Sequence, residues 1–210
     1  MAGIVSGRGG LPCDHKGVAV KFAVVTTRTP FLLERTMLLE GSAPILQLRE
    51  RVVNEGDEVL EFMWARIIPR SDVRFLDEPC EVVLPRCEVV TLAAGNPDYF
   101  TSGRASGQVA TRERQAGTAI DLSGMPGPEP KAHDLAFLRG FDEGRYEIRN
   151  QRGLSSQMRL PIHIFPYLWY WQVTRGAFGY PWYGTTYNLA LEPHSSLFPM
   201  LPRLWNKVTF

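Results

Sequence analysis

Cysteine is scarce in this chain of 210 residues: Cys13, Cys80 and Cys87 make an odd set of three with no Cys-x-x-Cys spacing. That set excludes a disulfide framework and a thiolate-rich metal site, and it fits reduced thiols in a cytoplasm. Histidine is equally thin. His15, His133, His163 and His194 are scattered with no two at ligand spacing, so neither a metal nor a cofactor is expected. An excess of one charge is also lacking. With 23 basic against 22 acidic residues the net charge is +1, which gives no electrostatic reason to expect nucleic acid or an anionic membrane as partner. No apolar run is long enough to span a bilayer, and the N-terminal MAGIVSGRGGLPCDHKG lacks the apolar block of a secretory signal. Gly7–Gly10 is no phosphate loop, because no Lys-Ser/Thr follows and no helix opens after it.

What is present is β texture. Hydrophobic content of 44% and charged content of 21% are those of a globular protein long enough for one sizeable core. Residues 1–17 read as irregular. From Val18, VAVKFAVVTT is rich in Val and Thr. FLLERTMLLE then alternates Leu32, Glu34, Thr36 and Leu38 against Phe31, Leu33, Arg35, Met37 and Leu39. ILQLRERVV follows the GSAP turn and ends at Asn54–Asp57, after which Val59–Trp64 is expected as its hairpin partner in an antiparallel meander. CEVVLPRCEVVTL predicts one or two strands broken or edged by Pro85. Residues 94–131, dominated by Gly, Pro, Ser, Thr and Gln, read as a long surface loop. Short strands resume in LAFLRGF, RYEIRNQ and LSSQMRL. The expected architecture is all-β, antiparallel and sandwich-like, a single domain over 1–210.

The aromatic stretch Phe165–Ser196 then stands out. It holds Trp169, Trp171 and Trp182, three of five tryptophans, and five of seven tyrosines, and it closes on one carboxylate, Glu192. Rings with an apolar face and a polar edge beside one acid suit a sugar, whose C–H groups stack while its hydroxyls donate to the carboxylate. The same composition also fits an ordinary aromatic core. Along YNLALEPHSS, Leu189 and Leu191 alternate with Asn188, Ala190 and Glu192, so Glu192 is expected opposite a core face, with Pro193 ending the ladder. Phe165, Tyr167, Trp169 and Trp171 share one face, Leu168, Tyr170 and Gln172 the other. Which of the two is the site is not legible.

Four blocks in order, FLLERTMLLEGSAPILQLRERVVNEGDEVLEFMW, FLDEPCEVVLP, KAHDLAFLRGFDEGRYEIRN and FPYLWYWQ…GYPWYG…LALEPHSS, make the chain resemble aldose 1-epimerases, the galactose-mutarotase-like proteins, over about residues 18–198. The resemblance implies an antiparallel β-supersandwich, here incomplete because strands at both ends are missing from the pattern. It also implies a monosaccharide partner, a hexose or derivative, and cofactor-free interconversion of α and β anomers by general acid/base ring opening. Glu192 falls at the family's base. Trp64, Trp171, Trp182, Tyr183 and His194 are the implied substrate-binding candidates.

The family's acid, a His shortly after the strand matching Val59–Trp64, has no counterpart. Where the family reads Gly-His-His-Pro-Ala-Phe-Gly, this chain reads Ala65-Arg66-Ile67-Ile68-Pro69-Arg70-Ser71. Arg66 stands at the position of the acid, and a guanidinium has no neutral form near pH 7 with which to give and reclaim a proton. Written as CGC ATC ATC CCG CGT TCG and entered at the third base, Arg66–Ser71 reads His-His-Pro-Ala-Phe, so a compensated local frame slip is expected in the gene. A second reading therefore stands beside the first: a non-catalytic carbohydrate-binding protein on the same scaffold. A third is an incomplete sandwich whose open edges associate. His163 as a replacement acid, His133 at a rim and the oligomeric state are left open by the sequence.

Overall fold

The computed structural model describes residues 4–5, 17–66, 69–70, 80–91, 103–107, 111–113, 119–125, 127, 129 and 131–197, and all regular structure among them is β-strand. No helix among the described residues is long and apolar enough to cross a membrane. The chain divides into two compact units, Met1–Glu61 and Phe62–Phe210.

The first unit is an antiparallel sheet in chain order: β1 (Ile4–Val5), β2 (Gly17–Val25), β3 (Phe31–Glu40) and β4 (Leu46–Asn54). The period-2 pattern is the cause. Val20 lies opposite Met37, which lies opposite Leu48, while Lys21, Thr36 and Arg49 share the other face. The strands expected from VAVKFAVVTT, FLLERTMLLE and ILQLRERVV are thus present, and β1 adds a short strand inside the stretch read as irregular. The Asn54 side chain closes the end of β4, accepting from the Gly56 N–H at 3.0 Å and donating to the Glu58 carbonyl at 2.6 Å.

Val59–Trp64 is a correction. No strand forms there; Val59 is 98% exposed, and Ala65 instead makes an isolated bridge to His194. Val59, Leu60, Phe62 and Met63 put apolar groups on both parities, so the segment has no single face for a ladder to bury.

The second unit carries two sheets that share one core. β5 (Pro69–Arg70), β6 (Cys80–Val83), β7 (Cys87–Thr91) and β8 (Gly103–Gly107) come first in the chain. A two-stranded ribbon of β9 (Thr111–Glu113) and β10 (Ala119–Asp121) follows. Then come β11 (Gly124–Met125), β12 (Ala132–Arg139), β13 (Arg145–Asn150), β14 (Ser155–Arg159), β15 (Tyr167–Thr174) and β16 (Tyr187–His194). The six-stranded sheet runs β5-β16-β15-β12-β7-β8 and the four-stranded one β11-β6-β13-β14. Pro85 breaks the chain between β6 and β7, as expected, and the break sends the two strands into different sheets.

Between the sheets lie Val82, Ile148, Ala136, Leu138, Leu168, Tyr170, Leu189 and Leu191, each no more than 1% exposed. Tyr146 Oη donates to the Leu191 carbonyl at 3.0 Å and ties one sheet to the other. The expected surface loop 94–131 is also corrected. It contains β8 to β11, and Leu122 and Met125 are buried in the core. Its β8 (GRASG) and β11 (GM) are rich in Gly, so no alternation of side chains announces them.

Candidate functional site

The site is built from β12, β15 and β16, which lie side by side. Their registers align Phe137 with Trp169 and Trp169 with Glu192. One step along, Leu135 aligns with Trp171 and Trp171 with Ala190. Residues directly opposite share a face, so Glu192 lies with the tryptophans. Leu168, Tyr170, Leu189 and Leu191 point into the core between the sheets. Trp169 and Trp171 stand on the side of the carboxylate, away from the inter-sheet core.

Pro193 does not end β16, which runs on to His194. The Pro193 carbonyl accepts from the Arg66 N–H at 3.0 Å, so the missing N–H of Pro193 faces that same side, next to the isolated Ala65–His194 bridge. A proline is tolerated where no ladder donor is needed. Continuation of the strand puts His194 on the face of Glu192, two residues on.

There the ring of His194 stacks on Trp169 with centroids 3.9 Å apart and planes 5° from parallel. Its Nε2 lies 3.3 Å from Glu192 Oε2, with side-chain exposures of 4% for His194 and 12% for Glu192. His194 Nδ1 is buried without a partner. The tautomer with hydrogen on Nε2 donates to the carboxylate and leaves only a lone pair on Nδ1, the less costly group to leave unmatched. His194 was expected to contact substrate. It is buried on that face, stacked on Trp169 and within hydrogen-bond reach of Glu192.

A second pair lies along the same face. Trp171 Nε1–H donates to His133 Nε2 at 2.8 Å. His133 Nε2 is thereby an acceptor, and burial lowers its tendency to take a proton below that of free imidazole. Trp182 packs against Trp171 with centroids 5.2 Å apart. The loop that carries Trp182 is pinned at its start by close backbone approach. A Cβ on Gly176 would sit 2.3 Å from the Ala132 carbonyl carbon.

Comparison of the chain with protein-family models, with curated proteins and with solved structures finds no match.

Of the candidates read from sequence, Glu192, His194, Trp171 and Trp182 fall on or beside this aromatic layer. Trp64 is brought to the end of β16, where its N–H donates to Ser195 Oγ at 2.8 Å and its carbonyl accepts from the Ser195 N–H at 2.9 Å. Arg66 reaches the same end of the sheet, but its guanidinium lies over the Phe165 ring, 5.2 Å from the centroid. Tyr183 is 66% exposed and packs edge-on to Tyr180. His163 is exposed in a turn. Ile67, Ile68 and Ser71 of the divergent block lie outside the described residues. No group of three or more His, Cys, Asp or Glu side chains that could hold a metal lies among the described residues.

Two members of the layer stood outside the substrate-binding candidates named from the sequence. Trp169 is one, and its stack with His194 depends on β16 continuing past Pro193. His133 is the other, and its bond to Trp171 depends on the β12–β15 register. The only sequence signal for either was the alternation that groups Trp169 with Trp171.

Proposed function

We propose that this chain is an aldose 1-epimerase-like protein. It binds a monosaccharide against the Trp169–Trp171–Trp182 layer and interconverts its α and β anomers, with Glu192 as the base. The observation that carries the reading is the setting of Glu192: a mostly buried carboxylate, 12% exposed, opposite a tryptophan and held by a stacked imidazole. In the reaction the carboxylate takes the anomeric hydroxyl proton as the C1–O bond to the ring oxygen breaks, and the ring oxygen takes a proton from water. The aldehyde rotates and the ring recloses on its other face. A base fixed by its neighbours contributes about 10²–10⁴-fold. On this reading the two sheets of the second unit are part of a galactose-mutarotase-type supersandwich.

Arg66 favours a second reading. It stands where the resemblance implies an acid, holds its proton at all ordinary pH, and covers Phe165. A site with a base and no exchangeable acid suits a carbohydrate-binding protein without turnover. Polarimetry on freshly dissolved α-glucose and α-galactose separates the two. The first reading expects mutarotation faster than buffer, falling at least about 10²-fold in Glu192→Gln. Saturable quenching of tryptophan fluorescence by the sugar without acceleration selects the second. Neither acceleration nor binding overturns both.

A further inference from the structure

Trp169 and Trp171 are alternate residues of β15 on one side of the sheet, yet they are held in different ways. The ring contacts of Trp171 are inclined: Trp182 meets it at 56° and His133 at 70°. Trp169 is clamped. Phe137 meets its ring edge-on at 5.2 Å, its Nε1–H donates to the Ser196 carbonyl at 3.4 Å, and the His194 imidazole lies on it, 5° from parallel. A pyranose stacks on a flat ring face, and on Trp169 the imidazole takes that place.

The imidazole is engaged on its other side by the carboxylate. Its Nε2 is 3.3 Å from Glu192 Oε2, and a hydrogen there rather than on Nδ1 avoids a buried donor with no acceptor. The strand end that carries it is fixed as well, because Trp64 and Ser195 exchange two hydrogen bonds, at 2.8 and 2.9 Å. All of these residues belong to the second unit. With Oε2 engaged by Nε2–H, Oε1 is the oxygen left to take the anomeric proton. We propose that His194 and Trp169 are positioning residues for the base: the indole seats the imidazole, the imidazole fixes the Glu192 carboxylate, and the sugar stacks on Trp171 and Trp182. The inference rests on Glu192 being the base of the proposed reaction, and it divides the aromatic layer into a part that holds and a part that binds.

Two readouts on the full chain test it, the first independent of any sugar. In ¹⁵N NMR of the His194 ring at neutral pH, the wild type is expected to show hydrogen on Nε2, slow to exchange, and a bare Nδ1. Trp169→Leu and Glu192→Ala are each expected to lose that slow exchange. The second readout is mutarotation kinetics. His194→Phe keeps a ring on Trp169 but removes the donor, so kcat is expected to fall about 10–100-fold with KM nearly unchanged, since only placement in the transition state is lost. His194→Gln returns an N–H and is expected to recover part of that loss. Trp171→Leu is expected instead to raise KM about 5–10-fold. Should circular dichroism show that His194→Phe fails to fold, Trp169→Phe, which shrinks the ring under the imidazole, is expected to lower kcat in the same way. Hydrogen on Nδ1 of His194 overturns the proposal. So does His194→Phe with kcat intact, or a Trp169→Leu that acts on KM as Trp171→Leu does. A wild type without mutarotation sinks the proposed reaction, whereas the ring spectra still decide whether indole and imidazole hold the carboxylate.

Discussion

β3 in the first unit and β15 in the second are both central strands flanked by long antiparallel neighbours, and both alternate cleanly. Their fates differ. In β15, Leu168, Tyr170 and Gln172 are no more than 1% exposed, whereas in β3 every residue keeps partial or full exposure. The cause is a second layer. β15 faces β6 and β13 across a shared core, and no residue of β3 belongs to that core. Hydrogen-bonded pairing alone excludes water from neither face, so alternation becomes burial only when a second surface closes on it. The same difference explains where a site can form. Glu192 and His194 sit on a sheet whose other face is locked, so their positions are set within the packing of β16. A carboxylate on β3 such as Glu34 is held only by exposed ion pairs.

Paired truncations break this comparison most sharply. Leu138→Ala removes a side chain that is 0% exposed between the two sheets and is expected to cost about 2–5 kcal/mol. Met37→Ala, on β3 and outside that core, is expected to cost under about 1 kcal/mol. Chemical denaturation monitored by circular dichroism measures both. Equal costs would erase the distinction between the units.

The next effect is local. Gly176→Ala drives a methyl into the Ala132 main chain, where its three nearest atoms would lie 2.3 to 2.5 Å away, all backbone. Overpacking of this kind is expected to cost about 1–3 kcal/mol. Because the displaced loop carries Trp182, the fluorescence of the Trp171–Trp182 pair shifts as well. Gly153→Ala, whose added carbon meets nothing nearby, tests the φ of +81° alone and leaves the tryptophans unaffected.

How far the sequence could foresee this division follows from which interactions are local. The β2–β4 meander, the break at Pro85 and the opposition of Glu192 to Leu189 and Leu191 all rest on period-2 alternation or on one proline, and both act within a few residues. Three features rest on partners far along the chain. β16 passes through Pro193 because Arg66 meets the carbonyl side of the strand. The strands within 94–131 are defined by what they pair with. His133 meets Trp171 only through the β12–β15 register. That β3 stands outside the shared core was hidden for a further reason: an alternating strand reads the same whether or not anything packs against it.

A smaller, pH-driven effect should appear in the second unit. His133 is held neutral below the ordinary imidazole range, since burial disfavours its charged form and its Nε2 accepts from Trp171. The unfolded chain takes up that proton first as pH falls. Stability is therefore full above the unfolded imidazole pKa, about 6.5, and declines as pH drops below it toward the folded value. His133→Gln, which keeps an acceptor without the titration, is expected to flatten the decline below about pH 6.5. An unchanged slope would assign the acid sensitivity to other groups.

The smallest expected effect lies on the solvated face of the first unit. Lys21 Nζ stands 2.5 Å and Arg51 Nη1 3.2 Å from the two oxygens of Glu34. The hydrogen bond from Lys21, then that from Arg51, hold the Glu34 carboxyl below its ordinary range. A depressed carboxyl contributes stability above its unfolded pKa and loses it as pH falls through the folded one. The row is open to water, so the contribution is screened and should fade in about 1 M salt, where the Debye length is about 3 Å. Carboxyl chemical shifts read by NMR across an acid titration measure it directly. Lys21→Met is expected to move the Glu34 midpoint upward more than Arg51→Met does, and both shifts shrink in salt. Were the midpoint unmoved by either substitution, the first unit would lack even this electrostatic hold.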